Sequence, residues 1–193
     1  MSGGHSGKDI AENRGNPIVE LGSLLKKFNQ NEDLYINSIE GGTWVTSIPR
    51  EVECTVTMHQ LDSKKTDELF VLLTEFLQKK YTNNNISASI KKMNTSTLAF
   101  DKETTNKVIQ YISNFPAGSI LKNEKTNDTI FSANLGTIFV EDESIYIENS
   151  IRSNLTPNIT SQLIEKLKKE ETSNGFNTIG TYDFPRIFTR YRI

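Results

Sequence analysis

The chain has 193 residues, 24% of them charged and 35% hydrophobic, with a formal net charge of -2. That length holds one substantial core or two small lobes sharing a sheet. The near balance of charge excludes both a disordered polyelectrolyte and the basic surface that steers a protein to DNA or RNA.

The chain opens on Gly3, Gly4, His5, Ser6 and Gly7, a histidine on a backbone that glycines allow to approach another molecule closely. With no strand or cap ahead of it, this start reads as a chain beginning in the middle of a fold, and it has neither the basic start nor the apolar run of a signal peptide. Asn16 suits a cap and Pro17 a first turn, and Ile18, Leu21, Leu24, Leu25 and Phe28 recur at helical spacing, which predicts a helix over Pro17 to Asn29. Alternation predicts strands at Leu34 and Ile36 and again at Val52, Cys54, Val56 and Met58, flanking a constrained loop or edge strand from Gly41 to Arg50. Leu69, Leu72, Leu73, Phe76 and Leu77 form one stripe of a helix over Ser63 to Tyr81. A hairpin around Asn94 is expected from the runs Ile86 to Met93 and Thr97 to Phe100. A helix over Lys102 to Asn114 turns Val108, Ile109 and Ile112 inward and ends at Pro116 and Gly118. Two alternating strands, around Ala133 to Ile138 and Ile145 to Ile151, pair antiparallel across the acidic turn Glu141 to Glu143. A last helix covers Pro157 to Lys169 and a last strand Phe176 to Phe184.

Hairpins outnumber regular crossovers, so the expected fold is α+β, one antiparallel sheet with helices packed on one face. It is read as a single domain over 1–193, with a second small lobe around 63–130 as the alternative. No apolar run is long enough to span a bilayer, so no membrane partner is expected. The single cysteine, Cys54, rules out an internal disulfide, suits a reducing cytoplasm and reads as a small buried hydrophobe rather than a nucleophile.

A self-contained hydrolytic site is hard to assemble. Metal chemistry needs several His, Asp, Glu or Cys ligands on rigid elements, but His5 and His59 lie far apart, and the adjacent pair Glu170 and Glu171 reads as the solvated face of a polar helix. His59 reads as a surface or hinge histidine. Ser6 beside His5 does not make a triad by adjacency, and the glycine loops lack the lysine-serine ending or spaced glycines of a phosphate cradle. Arg152 interrupts an alternating strand where an outward guanidinium meets solvent or clamps a carboxylate in two parallel hydrogen bonds. Arg50 reads as a pin for its loop. His5 therefore either does no chemistry or completes a site built elsewhere.

Four blocks, in order and at matching spacing, resemble the lid or dimerisation domain of the aminoacyl-histidine dipeptidases, cytosolic di-zinc exopeptidases. They are Gly3 to Gly7 with Asp9, Ile10, Arg14, Gly15 and Asn16; Gly41, Gly42 and Thr43 with Ile48, Pro49, Arg50 and Glu51; Pro116 to Gly118 with Ile120; and Asn134 to Gly136 continuing to Ile151, Arg152 and Ser153. The resemblance implies a lid inserted into a catalytic domain that holds the zinc ions and the catalytic glutamate, neither of which this chain supplies. It implies that His5 reaches into a partner subunit's active site to polarise the scissile carbonyl of a dipeptide, and that Arg152 holds the substrate's terminal carboxylate. It also implies a homodimer partner or a missing catalytic domain. Thr46 stands where the family usually has a substrate-contacting asparagine, and Asp183 to Ile193 diverges from the family's continuation, as in a shortened, split or frame-shifted gene. The expected function is thus the lid of a dipeptidase, inactive alone; the alternative is a stand-alone binding or assembly module derived from that lid.

Overall fold

The computed structural model describes residues 1, 3–7, 9–12, 14–30, 33–58, 63–80, 87–93, 98–173, 175–183 and 187–192. Helix α1 (Pro17–Asn29) begins where Asn16 is extended and its side-chain oxygen accepts from the Ile18 N–H, with Pro17 where no N–H is needed. Its stripe buries Ile18, Leu24, Leu25 and Phe28. Helix α2 (Ser63–Lys80) buries Leu73 and leaves Phe70, Val71 and Leu72 exposed. Helix α3 (Lys102–Asn114) is capped by Asp101, whose carboxylate accepts from the Thr104 N–H at 2.7 Å, and buries Val108, Ile109, Tyr111 and Ile112. Helix α4 (Pro157–Ser173) buries Ile164. The first and third helices cross closely at Gly22, where an added Cβ would lie 2.7 Å from the Ser113 nitrogen.

Among the described residues the strands are β1 (Gly4–His5), β2 (Leu34–Gly41), β3 (Ser47–Ile48), β4 (Val52–Met58), β5 (Gly118–Lys122), β6 (Thr129–Glu141), β7 (Ser144–Ser153), β8 (Asn177–Asp183) and β9 (Ile187–Arg192). Seven form one sheet in the order β4-β2-β6-β7-β9-β8, with β5 also paired to β6, and β1 and β3 make a separate two-stranded ribbon. Every ladder is antiparallel. The expected α+β architecture is the one observed. Asp142 and Glu143, both at positive φ, make the tight turn that joins β6 to β7.

The register of β6 and β7 decides what each face of the sheet meets. Ala133 pairs with Ile151 and Leu135 with Asn149, all buried, and the Asn149 side chain donates to the Tyr111 hydroxyl of α3, so this face lies against the helices. The pairs Ser132 with Arg152 and Asn134 with Ser150 point to the opposite face. An irregularity between Leu135 and Thr137 leaves Gly136 as the extra residue and brings Ile138, opposite Ile147, onto the helix side. Gly136 is also where two backbones touch: a Cβ there would overlap Val45, and one on Gly42 would overlap the Gly136 carbonyl. The strand is therefore buried on both faces, by helices on one and by the loop between β2 and β3 on the other.

Two expectations change. The hairpin around Asn94 falls partly outside the described residues; of its arms, Ser87 to Met93 and Leu98 to Phe100 carry no ladder, and Leu98 is 89% exposed. Alternating apolar residues without a neighbouring strand edge do not make a sheet. Beyond the expected last strand, Ile187 to Arg192 forms a further one, inserted between β7 and β8.

Candidate functional site

The site grows from one buried serine. Ser6 is 2% exposed and sits just after β1, where its N–H and its hydroxyl both donate to the Thr46 carbonyl, at 3.1 Å and 2.6 Å. The Arg152 Nη2 donates to the Ser6 Oγ at 3.0 Å. A Cβ on Gly7 would overlap the Arg152 guanidinium where it now lies, so a larger residue there would displace that arginine from beneath the loop. The structure thus brings together His5, Thr46 and Arg152, which lie more than forty and a hundred residues apart in the chain, around a residue that sequence reasoning had set aside as a nucleophile. With its hydroxyl hydrogen committed to a carbonyl and its oxygen accepting from a cation, Ser6 is an anchor.

His5 itself is exposed and pairs with Ser47, as Gly4 pairs with Ile48. Its Nδ1 accepts from the Gly7 N–H at 3.2 Å, which assigns the proton of the neutral imidazole to Nε2. Its backbone is held as well: the His5 N–H donates to the Asp9 carboxylate at 2.8 Å, and the Asp9 N–H donates to the His5 carbonyl at 2.9 Å.

The loop opposite is pinned by Asn134, which sequence reading placed in a motif without giving it a task. Buried on the loop face of β6, its Nδ2 donates to the Val45 carbonyl at 3.2 Å and to the Ser47 carbonyl at 2.8 Å. Its Oδ1 accepts from Asn16, which also donates to the Leu135 carbonyl at 2.8 Å. A buried amide with two donors suits two converging carbonyls, and no apolar side chain could replace it without orphaning them. Beside this pin Trp44, the only tryptophan of the chain, stands 70% exposed.

The remaining candidates are elsewhere. Cys54 lies on β4, partly packed against the core, and burial pushes its thiol up to about 12, which leaves no thiolate for nucleophilic work at neutral pH. Arg50 follows β3, where a Cβ on Gly3 would overlap its side chain. Glu170 and Glu171 fall within α4, and His59 lies outside the described residues. Among the described residues no three His, Cys, Asp or Glu side chains converge as a metal site requires. The described residues therefore do not by themselves fit a zinc ion. No helix of the described residues is long and apolar enough to cross a membrane.

A family model described as a peptidase dimerisation domain matches residues 2–85, which contain β1 to β4 and the His5 and Thr46 part of the site. Among solved structures, the crystal structure of aminoacylhistidine dipeptidase from Vibrio alginolyticus superposes with a TM-score of 0.83 and 26% sequence identity, covering 97% of this chain and 37% of that one. The chain thus spans a little over a third of that protein's length. A comparison with curated proteins returned no match. Residues 2–85 thus match a peptidase dimerisation domain in sequence, and the fold over 97% of the chain is similar to part of that dipeptidase.

Proposed function

We propose that the chain is the lid portion of a cytoplasmic zinc metallodipeptidase, inactive alone, and that it presents His5 to a dipeptide held by a catalytic domain outside this chain, in a partner subunit. The observation that carries this reading is the convergence of His5, Thr46 and Arg152 on Ser6, which sets an exposed imidazole on a pinned backbone. With the proton on Nε2, His5 donates to the scissile carbonyl oxygen as it gains charge, a task that needs no metal ligation. Fixing the donor before the reaction matters because a preorganised donor of this kind contributes about 10²–10³ in kcat.

Arg152 offers a cation for the terminal carboxylate of the dipeptide while its Nη2 stays on Ser6, so that substrate binding and His5 placement share one anchor. Thr46 lines the same site, and its single hydroxyl gives it fewer donors than an asparagine amide. Zinc, held by the catalytic domain, would supply a polarised carbonyl and an activated water.

The experiment is hydrolysis of an aminoacyl-histidine dipeptide by the purified chain with zinc. The expected result is no turnover. Turnover that needs no second protein and survives His5→Ala would overturn the reading.

A further inference from the structure

Arg14 and Asp9 form a bracket around the His5 loop that the chemistry above does not use. Arg14 Nη1 donates to the Gly3 carbonyl at 2.8 Å, its Nη2 contacts Asp9 Oδ1 at 3.2 Å and Glu12 Oε2 at 2.8 Å, and its Nε donates to Glu12 Oε2 at 2.9 Å. The other oxygen of Asp9 accepts the His5 N–H at 2.8 Å. One guanidinium thus ties the residue before Gly4 to the carboxylate that holds the residue after it. Gly4 is trapped between them: at φ +155 it leaves so little space that a Cβ would lie 2.6 Å from Asp9 Oδ2 and 2.7 Å from Arg14 Nη1.

The His5 imidazole turns its Nδ1 to the Gly7 N–H, so how the backbone from His5 to Gly7 is held bears on its direction. Asp9 spans that backbone from both sides, accepting from the His5 N–H and donating its own N–H to the His5 carbonyl at 2.9 Å. This double contact curls the chain from His5 to Asp9 and carries the Gly7 N–H to within 3.2 Å of the imidazole Nδ1. Arg14 holds the carboxylate in place, because a lone half-exposed aspartate would exchange this bond with water, whereas one gripped by a planar fork is fixed in direction. We propose that Asp9 and Arg14 are positioning residues for His5, and that they select the tautomer with the proton on Nε2 by holding the Gly7 N–H against Nδ1. The proposal deepens the lid reading and rests on it only for the purpose of the tautomer, not for its existence.

The test reads the tautomer on the chain itself, without substrate or a second protein, so a chain that never supports hydrolysis would leave the result intact. In a His59→Gln background His5 is the sole histidine, and its ring nitrogens are followed by 15N spectroscopy at a pH of about 8.5, two units above the ordinary imidazole pKa of about 6.5. The parent is expected to give two widely separated resonances, Nδ1 as acceptor and Nε2 as N–H. Asp9→Ala and Arg14→Ala should draw the two together, because the tautomers then exchange. Arg14→Lys should fail to restore the separation, since an ammonium cannot span the same three acceptors in one plane. Asp9→Asn, which keeps one acceptor oxygen for the His5 N–H but loses the ion pair, should fall between. Unchanged methyl resonances of Ile147 and Val108 establish that a variant is folded. Folded Asp9→Ala and Arg14→Ala chains that keep the parent separation would overturn the proposal, as would a parent chain whose resonances are already merged.

Discussion

Replacing Asn134 with alanine removes the amide that joins β6 to the loop carrying Thr46. Its two donated bonds, at 2.8 Å and 3.2 Å, are part-buried, and the one it accepts, at 3.3 Å, is buried. A net hydrogen bond contributes about 1 kcal/mol and the longest of these less, so the loss sums to about 2–3 kcal/mol. Asn16 keeps its bond to the Leu135 carbonyl and is not stranded. Urea unfolding followed by far-ultraviolet circular dichroism should show the midpoint falling by roughly 1 M, given a slope of about 2–3 kcal/mol per M. Asn134→Asp should be worse at neutral pH, because a carboxylate would face two carbonyl oxygens, and it should regain stability on acidification as protonation restores one donor. An alanine variant within about 0.5 kcal/mol of the parent would refute the assignment of Asn134 as the pin, since surface substitutions without a structural task fall in that range.

Further outcomes follow from the packing and the shifted groups. Gly22→Val should destabilise by about 1–3 kcal/mol in the same unfolding assay, because the added side chain meets backbone of α3 that cannot rotate away; an unchanged midpoint would contradict the close helix crossing. The Thr104 N–H holds the Asp101 carboxyl below its ordinary value, so its contribution is fully present above the unfolded value and lost as pH falls through the lower folded one. Asp101→Asn, which keeps the cap, should flatten that part of the acid limb, and an identical acid limb in both chains would count against it. Cys54 should react slowly with an aromatic disulfide reagent at pH 8 and completely after unfolding; fast labelling of the native chain would show the thiol to be accessible.

Much of this was legible because it is periodic. The stripe Ile18 to Phe28 repeats at the helical period over three turns, Val108 to Ile112 marks the inward face over a little more than one, and Ile145 to Ile151 alternates over a whole strand, so each pattern outweighs local irregularity. The ribbon of β1 and β3 has only two residues on each side and no pattern to read; it exists because Asn134 and Ser6 capture its neighbouring backbone. The run Ser87 to Met93 reads as a strand because apolar and polar residues alternate there, yet Ile90 and Met93 are exposed and no strand forms a ladder with it among the described residues. The last strand, Ile187 to Arg192, was missed because its charged residues broke the apolar signal, whereas its place is set by the free edges of its two neighbours. The site shows the same division. His5 and Arg152 were legible as chemically able residues, but Ser6, which joins them, is one polar residue among many until burial singles it out.

The claim tested most directly is that this chain supplies His5 to a catalytic domain it does not contain. The matched third of the Vibrio alginolyticus dipeptidase can be exchanged for this chain, and hydrolysis by that chimera compared with and without His5→Ala. We predict that the substitution lowers kcat by about 10²–10³ with little change in KM, as loss of a donor engaged only in the transition state requires. An active chimera whose kcat is unchanged by His5→Ala would contradict the account.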